Sequence, residues 1–341
     1  MRHRAILGTA SALLVATLSG SCSSEPEVAT ACEGQTLKIG ESTELSLIYA
    51  PLYVAEQKGF LDDENVKVQH VQLGGGSEAI QALIGGSVDL VATPFTSVAA
   101  AKAEGAPLVA FASFSNRYTS DVGIKADKAP ADDADWQTKI KALEGLKVGI
   151  TSPGSGTDQT LRFLARKAGL DPDEDMTIVA TGGSSETVAA FSRGSIDAYL
   201  IGAPASDVAA AQGDGTMMLR LAEGTVPDLS DILYGVVATS ERGLKNKAPL
   251  LECYARALSK ADALIKKDPD AAGDLLRDDF PDLSDENFKS AWDATVASTP
   301  SSAALLPEEV EKAGAVLEVV EPDDSAVVKD AYTEQFNDSL D

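Results

Sequence analysis

The sequence predicts an α/β protein of two similar lobes joined by two crossings, with a ligand cleft between them. Three observations carry that prediction. Strand patterns alternate with short helical ones, which implies a parallel-rich sheet. The stretch "GGGSEAIQALIGGSVD" (Gly74 to Asp89) returns 108 residues later as "GGSSETVAAFSRGSID" (Gly182 to Asp197), identical at half of its sixteen positions. The chain has 341 residues, too long for one small core and about right for two domains.

The elements follow in order. "TLKIGES" (Thr36 to Ser42) reads as a strand. "APLYVAEQKGF" (Ala50 to Phe60) reads as a helix, with Pro51 in its first turn and Gly59 at its end. "VKVQHVQL" (Val66 to Leu73) alternates apolar and polar residues, a strand pattern. The repeated stretch gives a helix (Ser77 to Ile84), a Gly85-Gly86 break and the strand "VDLVAT". A helix "TSVAAAKAEG" and a strand "PLVAFASF" (Pro107 to Phe114) follow. Lys125 to Gly145 is polar, an exposed connector with a helix.

Then the pattern restarts. "LKVGIT" echoes "LKIGES", and "GTDQTLRFLARKAGL" takes the place of the first helix. "MTIVAT" is the second strand, and "SDVAAAQGDG" answers "TSVAAAKAEG" after two extra residues. "ILYGVVAT" (Ile232 to Thr239) is a strand, and the remainder is helical by pattern. A helical tail of that length needs a surface to cover, so the chain is expected to return to the first lobe. Residues 36–117 and 233–341 then form lobe one and residues 118–232 lobe two. The crossings are expected near Ser115 to Val122 and Leu229 to Val236.

The first residues read as a targeting segment. Arg2, His3 and Arg4 precede an apolar run, Ala5 to Leu18, that is too short to span a bilayer well. Residues 1–21 resemble a bacterial lipoprotein signal, with Cys22 as the lipidated residue. Ser19 stands where the usual box has an aliphatic residue, which leaves ordinary secretion as the other reading. Residues 22–35 are small and polar, a tether holding a body off a membrane surface. Without Arg2 and Arg4, the 28 basic residues become 26 against 53 acidic ones, a net −27. Such a surface repels phosphate backbones, so nucleic acid is a poor partner. Cys32 and Cys253 form an even pair in an oxidising compartment, which admits a disulfide; two unrelated thiols are the alternative.

In open α/β sheets, ligands bind beyond the carboxyl ends of strands, where helix N-termini present unpaired N–H groups. Both copies of the repeat supply such a start, at Gly75, Gly76 and Ser77 and at Gly183 to Ser185. "TSPGSGTDQTL" supplies a third, with Ser155, Gly156 and Thr157 before a helix. Each alone is an ordinary capped turn. Three in equivalent places point to a cleft lined by donors. The Gly-Ser-x-Asp exits, Gly86 to Asp89 and Gly194 to Asp197, read as structural turns on the far side.

"APLYVAEQKGF", "GGGSEAIQALIGGSVDLVAT", "LEGLKVGITSPGSGTDQTLRFLARKAGL" and "RGSIDAYLIGAP" together resemble the substrate-binding proteins of ABC importers for nitrate, aliphatic sulfonates, taurine and thiamine-pyrimidine precursors. The resemblance covers roughly Leu37 to Val320. It implies the two-lobed fold of type 2 periplasmic binding proteins, capture of a small molecule outside the cell membrane, and delivery to a permease and ATPase by a monomer. No cofactor or metal is implied. Carried over, the family's ligand contacts fall at Glu44, Ser46, Leu47 and Tyr49, at Gly75, Gly76 and Ser77, and at Thr93, Pro94 and Phe95. In lobe two they fall at Ser152, Ser155, Gly156 and Thr157, at Gly183 and Ser184, and at Gly202 and Ala203. Asn116 and Arg117, beside a crossing, are further candidates, and Arg117 is the main basic group for an anionic ligand. An inward Glu44 would instead favour an amine or a neutral heterocycle.

Other classes find less support. His70 is one of two histidines, lies in a strand pattern without a motif around it, and reads as a strand-surface residue. No Gly-x-Ser-x-Gly elbow is present, so a serine hydrolase is unsupported. The cysteine-rich motif of a related pyrimidine synthase is missing. "GGGSEA" lacks the third glycine of a dinucleotide loop, and "DPDEDM" lacks the glycine of a calcium loop. A binding protein that docks to a sensory receptor would use the same cleft.

Overall fold

The computed structural model describes Cys32 and residues 35–41, 46–73, 75–281 and 283–340. Glu44, Gly74, Cys22 and the whole leader lie outside the described residues. Among the described residues, ten strands form two five-stranded sheets. They are β1 (Thr36–Glu41), β2 (Lys67–Gln72), β3 (Leu90–Pro94), β4 (Leu108–Arg117), β5 (Ser120–Lys125), β6 (Lys147–Ile150), β7 (Thr177–Ala180), β8 (Ala198–Gly202), β9 (Gly215–Arg220) and β10 (Ser230–Ser240). Helices α1 (Ala50–Gln57), α2 (Phe60–Asp63), α3 (Gly76–Ile84) and α4 (Phe95–Ala103) sit among the first four strands. Helices α5 (Trp136–Lys141), α6 (Gly156–Ala168), α7 (Ser184–Ser192) and α8 (Ala205–Gln212) sit among the next five. The tail supplies α9 (Glu241–Lys267), α10 (Pro269–Leu276), α11 (Asp285–Ser298) and α12 (Pro307–Val320).

The sheets have the orders β2-β1-β3-β10-β4 and β7-β6-β8-β5-β9. In each, the first three strands are parallel and the fourth runs antiparallel to both its neighbours. The fourth strand has just arrived from the other sheet: β5 enters straight after β4, and β10 enters after β9. Strands β5 and β9 are absent from the sequence reading, which placed the start of β5 in a crossing and gave residues 216–220 no element. The first crossing is only Tyr118 and Thr119, and the second is Leu221 to Leu229. They lie side by side, with Tyr118 N–H donating to the Leu229 carbonyl at 3.2 Å and the Tyr118 and Tyr234 rings 4.2 Å apart.

The repeat persists in three dimensions. Helices α3 and α7 share both ends at the offset of 108, as do β3 and β8; α4 and α8 start 110 residues apart. The two Gly-Ser-x-Asp exits do the same work. Gly86 and Gly194 take the left-handed conformation past a helix end (φ 73° and 70°), where a Cβ would be strained. Asp89 then accepts from Lys38 N–H at 3.0 Å, and Asp197 accepts from Lys147 N–H at 3.0 Å. Each aspartate thereby ties the start of β3 or β8 to the start of β1 or β6.

The tail covers lobe one. Leu250, Tyr254, Leu258, Ala261 and Ile265 of α9 are buried at three- and four-residue spacing. Pro249 removes a donor inside α9, and Lys247 just before it leaves helical geometry. Cys32 is joined to Cys253 of α9, which fastens the segment before β1 to this helix. Among the described residues no helix is long and apolar enough to cross a membrane.

If the two exits are equivalent, removing either carboxylate strands an N–H at a strand start. Asp89→Ala and Asp197→Ala are each expected to cost about 1–3 kcal/mol in urea unfolding. A loss confined to one of them would contradict the equivalence.

Candidate functional site

The carboxyl ends of the two sheets face each other across one cavity of about 70 Å³. Five helix starts reach it. Tyr49 precedes α1, Gly76 opens α3 and Pro94 precedes α4; opposite them Ser155 and Gly156 open α6 and Ser184 opens α7. Such starts carry unpaired N–H groups and a partial positive charge. Ser46, Thr93, Thr157 and Gly202 complete the set of expected residues that line the cavity.

The α6 end is built from hydroxyls. Ser155 caps the helix by accepting from Asp158 N–H. Thr151, Ser155 and Thr157 form a triangle of oxygens 2.9–3.0 Å apart, and Thr157 also accepts from Thr151 N–H. Asp158 points away from the cavity: it accepts from Gly154 N–H and pairs with Arg162, fixing the turn. Across the cavity, Thr93 is 2% exposed and its hydroxyl has no partner. A buried hydroxyl left unpaired costs free energy unless something fills its place.

Eight lining residues escape the sequence reading: Ile48, Phe114, Thr119, Ser120, Thr151, Ile201, Tyr234 and Gly235. Thr119 comes from the first crossing, Ser120 from β5, and Tyr234 and Gly235 from β10. Burial pushes the Tyr234 phenol up, with the neighbouring hydroxyls of Ser120 and Thr119 opposing. No acidic or basic side chain is among the described residues that line the cavity.

Other expected residues stand elsewhere. Leu47, Phe95 and Ala203 are buried in the core rather than presented to the cavity. Asn116 donates to Glu309 at 3.3 Å. Arg117 is turned to the second crossing, where it donates to the Ala222 carbonyl at 3.1 Å. Gly75 and Ser152 face each other at the cavity's edge; a Cβ on Gly75 would come 3.2 Å from Ser152 Oγ. Gly183 lies under Glu186 of its own helix.

Several of the expected residues, Gly156 and Gly202 of the cavity lining among them, also bring the lobes into contact. Ser77 donates to the Pro153 carbonyl at 3.0 Å and meets Ser152 at 3.4 Å. A Cβ on Gly156 would come 2.4 Å from Pro94 Cγ, and one on Gly202 would come 3.3 Å from Ile48. At Gly156 a side chain would force the lobes apart, and at Gly202 Ile48 would have to give way. Among the described residues no group of three or more His, Cys, Asp or Glu is placed to hold a metal.

A buried network stands behind the first lining loop. Glu41, fully buried at the end of β1, accepts from Tyr53 at 2.7 Å and Gln72 at 3.1 Å and meets His70 Nδ1 at 2.6 Å. His70 Nε2 lies 3.1 Å from Glu56. The histidine is therefore clamped between two carboxylates rather than lying loose on a strand surface. Burial alone would lower its pKa; hydrogen bonds and charge from Glu41 and Glu56 outweigh that and push it up to about 9. The ring edge of Tyr53 meets Tyr49, which packs on Phe114, so the network props two cavity walls.

A histidine raised from 6.5 to about 9 stabilises the fold fully below pH 6.5 and loses that contribution as pH rises through 9. His3 is the one other histidine. Melting temperature is therefore expected to fall between pH 6.5 and 9, and His70→Gln to flatten that slope. An unchanged slope in the variant would remove His70 from the account.

A sequence profile of the family described as NMT1/THI5 like matches residues 48–272, which takes in both copies of the repeat. The chain is 27% identical over 277 residues to a putative aliphatic sulfonates-binding protein of Escherichia coli (strain K12), covering 81% of this chain and 79% of that one. It is also 27% identical over 150 residues to a 4-amino-5-hydroxymethyl-2-methylpyrimidine phosphate synthase of Aspergillus parasiticus, covering 44% of this chain and 41% of the enzyme. The solved alkanesulfonate-binding protein SsuA from Xanthomonas axonopodis pv. citri, bound to MOPS, matches with a TM-score of 0.70 at 19% identity, covering 88% and 99% of the two chains. At that identity the likeness is one of fold, and it is the two-lobed fold of periplasmic binding proteins. With the profile matching well over half of its length, the chain belongs to the NMT1/THI5-like family.

Proposed function

We propose that this protein is an extracytoplasmic solute-binding protein that captures a small oxyanion, a sulfonate or nitrate, and delivers it to an ABC permease and ATPase. The observation that carries this is the cavity wall: five helix starts and a ring of hydroxyls, without an acidic or basic side chain among the described lining residues. Helix N-termini bind anions through N–H groups and dipole, so a basic side chain is not required. The sulfonate-binding names of one curated relative and one solved structure agree with that chemistry.

The thiamine-precursor alternative draws on the pyrimidine synthase relative and on the rings of Tyr49, Phe114 and Tyr234. A cavity of about 70 Å³ favours the oxyanion, since sites for larger organic ligands run to about 300 Å³ and more. Ligand bridging the two lobes favours the closed arrangement, and the permease reads that arrangement. The chain acts as a monomer without a cofactor, as a binding protein and not an enzyme. Lipidation at Cys22 would hold it on the outer face of the cell membrane.

The test is a thermal-shift panel of methanesulfonate, taurine, nitrate and an aminopyrimidine on the wild type and Thr93→Val. An oxyanion at a hundred times its Kd stabilises the folded form by about 2.7 kcal/mol, and the melting temperature should rise accordingly. Thr93→Val removes the unpartnered hydroxyl. It is expected to leave the free protein as stable as before or more so, and to weaken oxyanion binding about tenfold or more. A panel in which only the pyrimidine binds, or in which a bound compound is turned over, overturns the proposal.

A further inference from the structure

The lobes meet along a seam outside the inner cavity, and in two places its polar groups are paired. Ser77 of α3 donates to the Pro153 carbonyl at 3.0 Å. Arg166 of α6 donates to the carbonyls of Val319 and Val320, the last residues of α12, at 2.9 and 2.5 Å. Between these contacts runs a groove of about 380 Å³, lined from lobe one by Ser77, Ser97 and Glu321 and from lobe two by Pro153, Gly154 and Gln159. Here pairing fails. Ser97 of α4 is 6% exposed and Gln159 of α6 is 4% exposed. Neither Ser97 Oγ nor Gln159 Oε1 has a hydrogen-bond partner, and each atom is itself buried.

Thr93, one turn before Ser97, is unpartnered as well, but it lines the inner cavity, where the captured ligand would answer it. Ser97 and Gln159 do not line that cavity. The Pro94 and Gly156 contact and the Ser77 hydrogen bond close the seam between cavity and groove. A ligand held inside therefore leaves both atoms unpaired. Buried polar atoms are overwhelmingly satisfied, and one that is not loses the hydrogen bonds that water gave it. Both atoms stand beside the seam, on helices of different lobes, so drawing α4 and α6 apart returns them to water.

We propose that Ser97 and Gln159 are positioning residues that oppose closure. The free protein then rests open, and the lobes shut only when ligand contacts in the inner cavity outweigh two oxygens left without partners. This rests on the reading of the inner cavity as a site that captures its ligand by closure. It adds that part of the apparent affinity is set at the seam and not by the cavity walls. Apparent affinity is the intrinsic one reduced by the fraction of molecules in the competent state. Easing the seam therefore tightens every ligand by one common factor, without a change in any group that touches it.

Small-angle X-ray scattering of the free protein, and calorimetry with methanesulfonate and nitrate, test this on the wild type, Ser97→Ala, Gln159→Leu and the double variant. The free wild type is expected to have a larger radius of gyration than the closed structure. Each single variant should shrink it toward the closed value, and the double variant most. Both probes should bind about fivefold more tightly in each single variant, by the same factor for each probe. A residue that only supports its own helix would move neither the radius nor that common factor. Ser97→Ala removes a hydroxyl and adds no apolar group, so a gain confined to Gln159→Leu reflects apolar burial and overturns the proposal. A free wild type that scatters as closed, a gain for one probe alone, or weaker binding in Ser97→Ala overturns it too. If neither probe binds, the oxyanion reading falls, while scattering of the free variants still decides the seam.

Discussion

Every parallel strand in this protein delivers the chain to the same end of its sheet, and a helix must start there with its first N–H groups unpaired. That constraint shapes the molecule. One sheet alone would leave those groups to water. Here two such ends are turned toward each other, and five helix starts converge on one small space. The concentration of partial positive charge is a consequence of topology, and it needs no charged side chain. It also operates inside a strongly acidic chain, so the positive potential of this space comes from short-range donors and not from the overall field.

The strand exchange is what makes the two ends face. The fourth strand of each sheet comes from the far side of a crossing, so neither sheet is complete without the other half of the chain. A buried set then anchors both crossings on the lobe-two side. Asp121, the second residue of β5, accepts from Ser206 at 2.6 Å and pairs with Arg220, the last residue of β9; Arg220 also pairs with Asp207 of α8. Burial pushes the Asp121 carboxyl up to about 7, with Arg220 and Ser206 opposing. On the lobe-one side, Arg117 of β4 pairs in register with Ser230 of β10. Tyr118, Thr119 and the segment from Leu221 to Leu229 are the chain connections between the two sheets. This is the pattern of a hinge, where a few residues absorb the change between rigid bodies.

How much of this was legible in the sequence depended on what each residue's partner is. The helix starts were legible because glycine, serine and threonine before an apolar-periodic run are local signals, and the repeat doubled them. The exits were legible for the same reason. Thr119, Ser120 and Tyr234 were not, because they reach the cavity through strands that belong to neither copy and carry no helix-start signal. Arg117 drew attention as a cation near a crossing, but its partner, the Ala222 carbonyl, lies 105 residues away and leaves no trace nearby. His70 failed in the opposite direction. Its pattern said strand surface, and the strand is real, but Glu41 comes from the neighbouring parallel strand 29 residues earlier. Local signals gave the elements and their ends; side-chain partners across sheets and lobes did not follow from them.

The repeated stretch also divides its labour unequally between the copies, and the division has a physical reason. In lobe two Ser184 lines the cavity, whereas in lobe one Gly76 holds that place and Ser77 beside it bonds across the seam to Pro153. At position 76 a Cβ would meet only Ser155 Cβ, at 3.9 Å, so it is at Gly156, 2.4 Å from Pro94 Cγ, that a side chain would stand between the lobes. Glycine at 156 lets the backbones approach, and Ser77 supplies the hydrogen bond that the approach makes available. The same spacing that presents a hydroxyl to the cavity in one copy serves in the other to join the lobes. Two copies of one motif can therefore diverge in use without diverging in fold, because the strand-to-helix turn fixes the backbone and leaves the side chain free to face either the cavity or the seam.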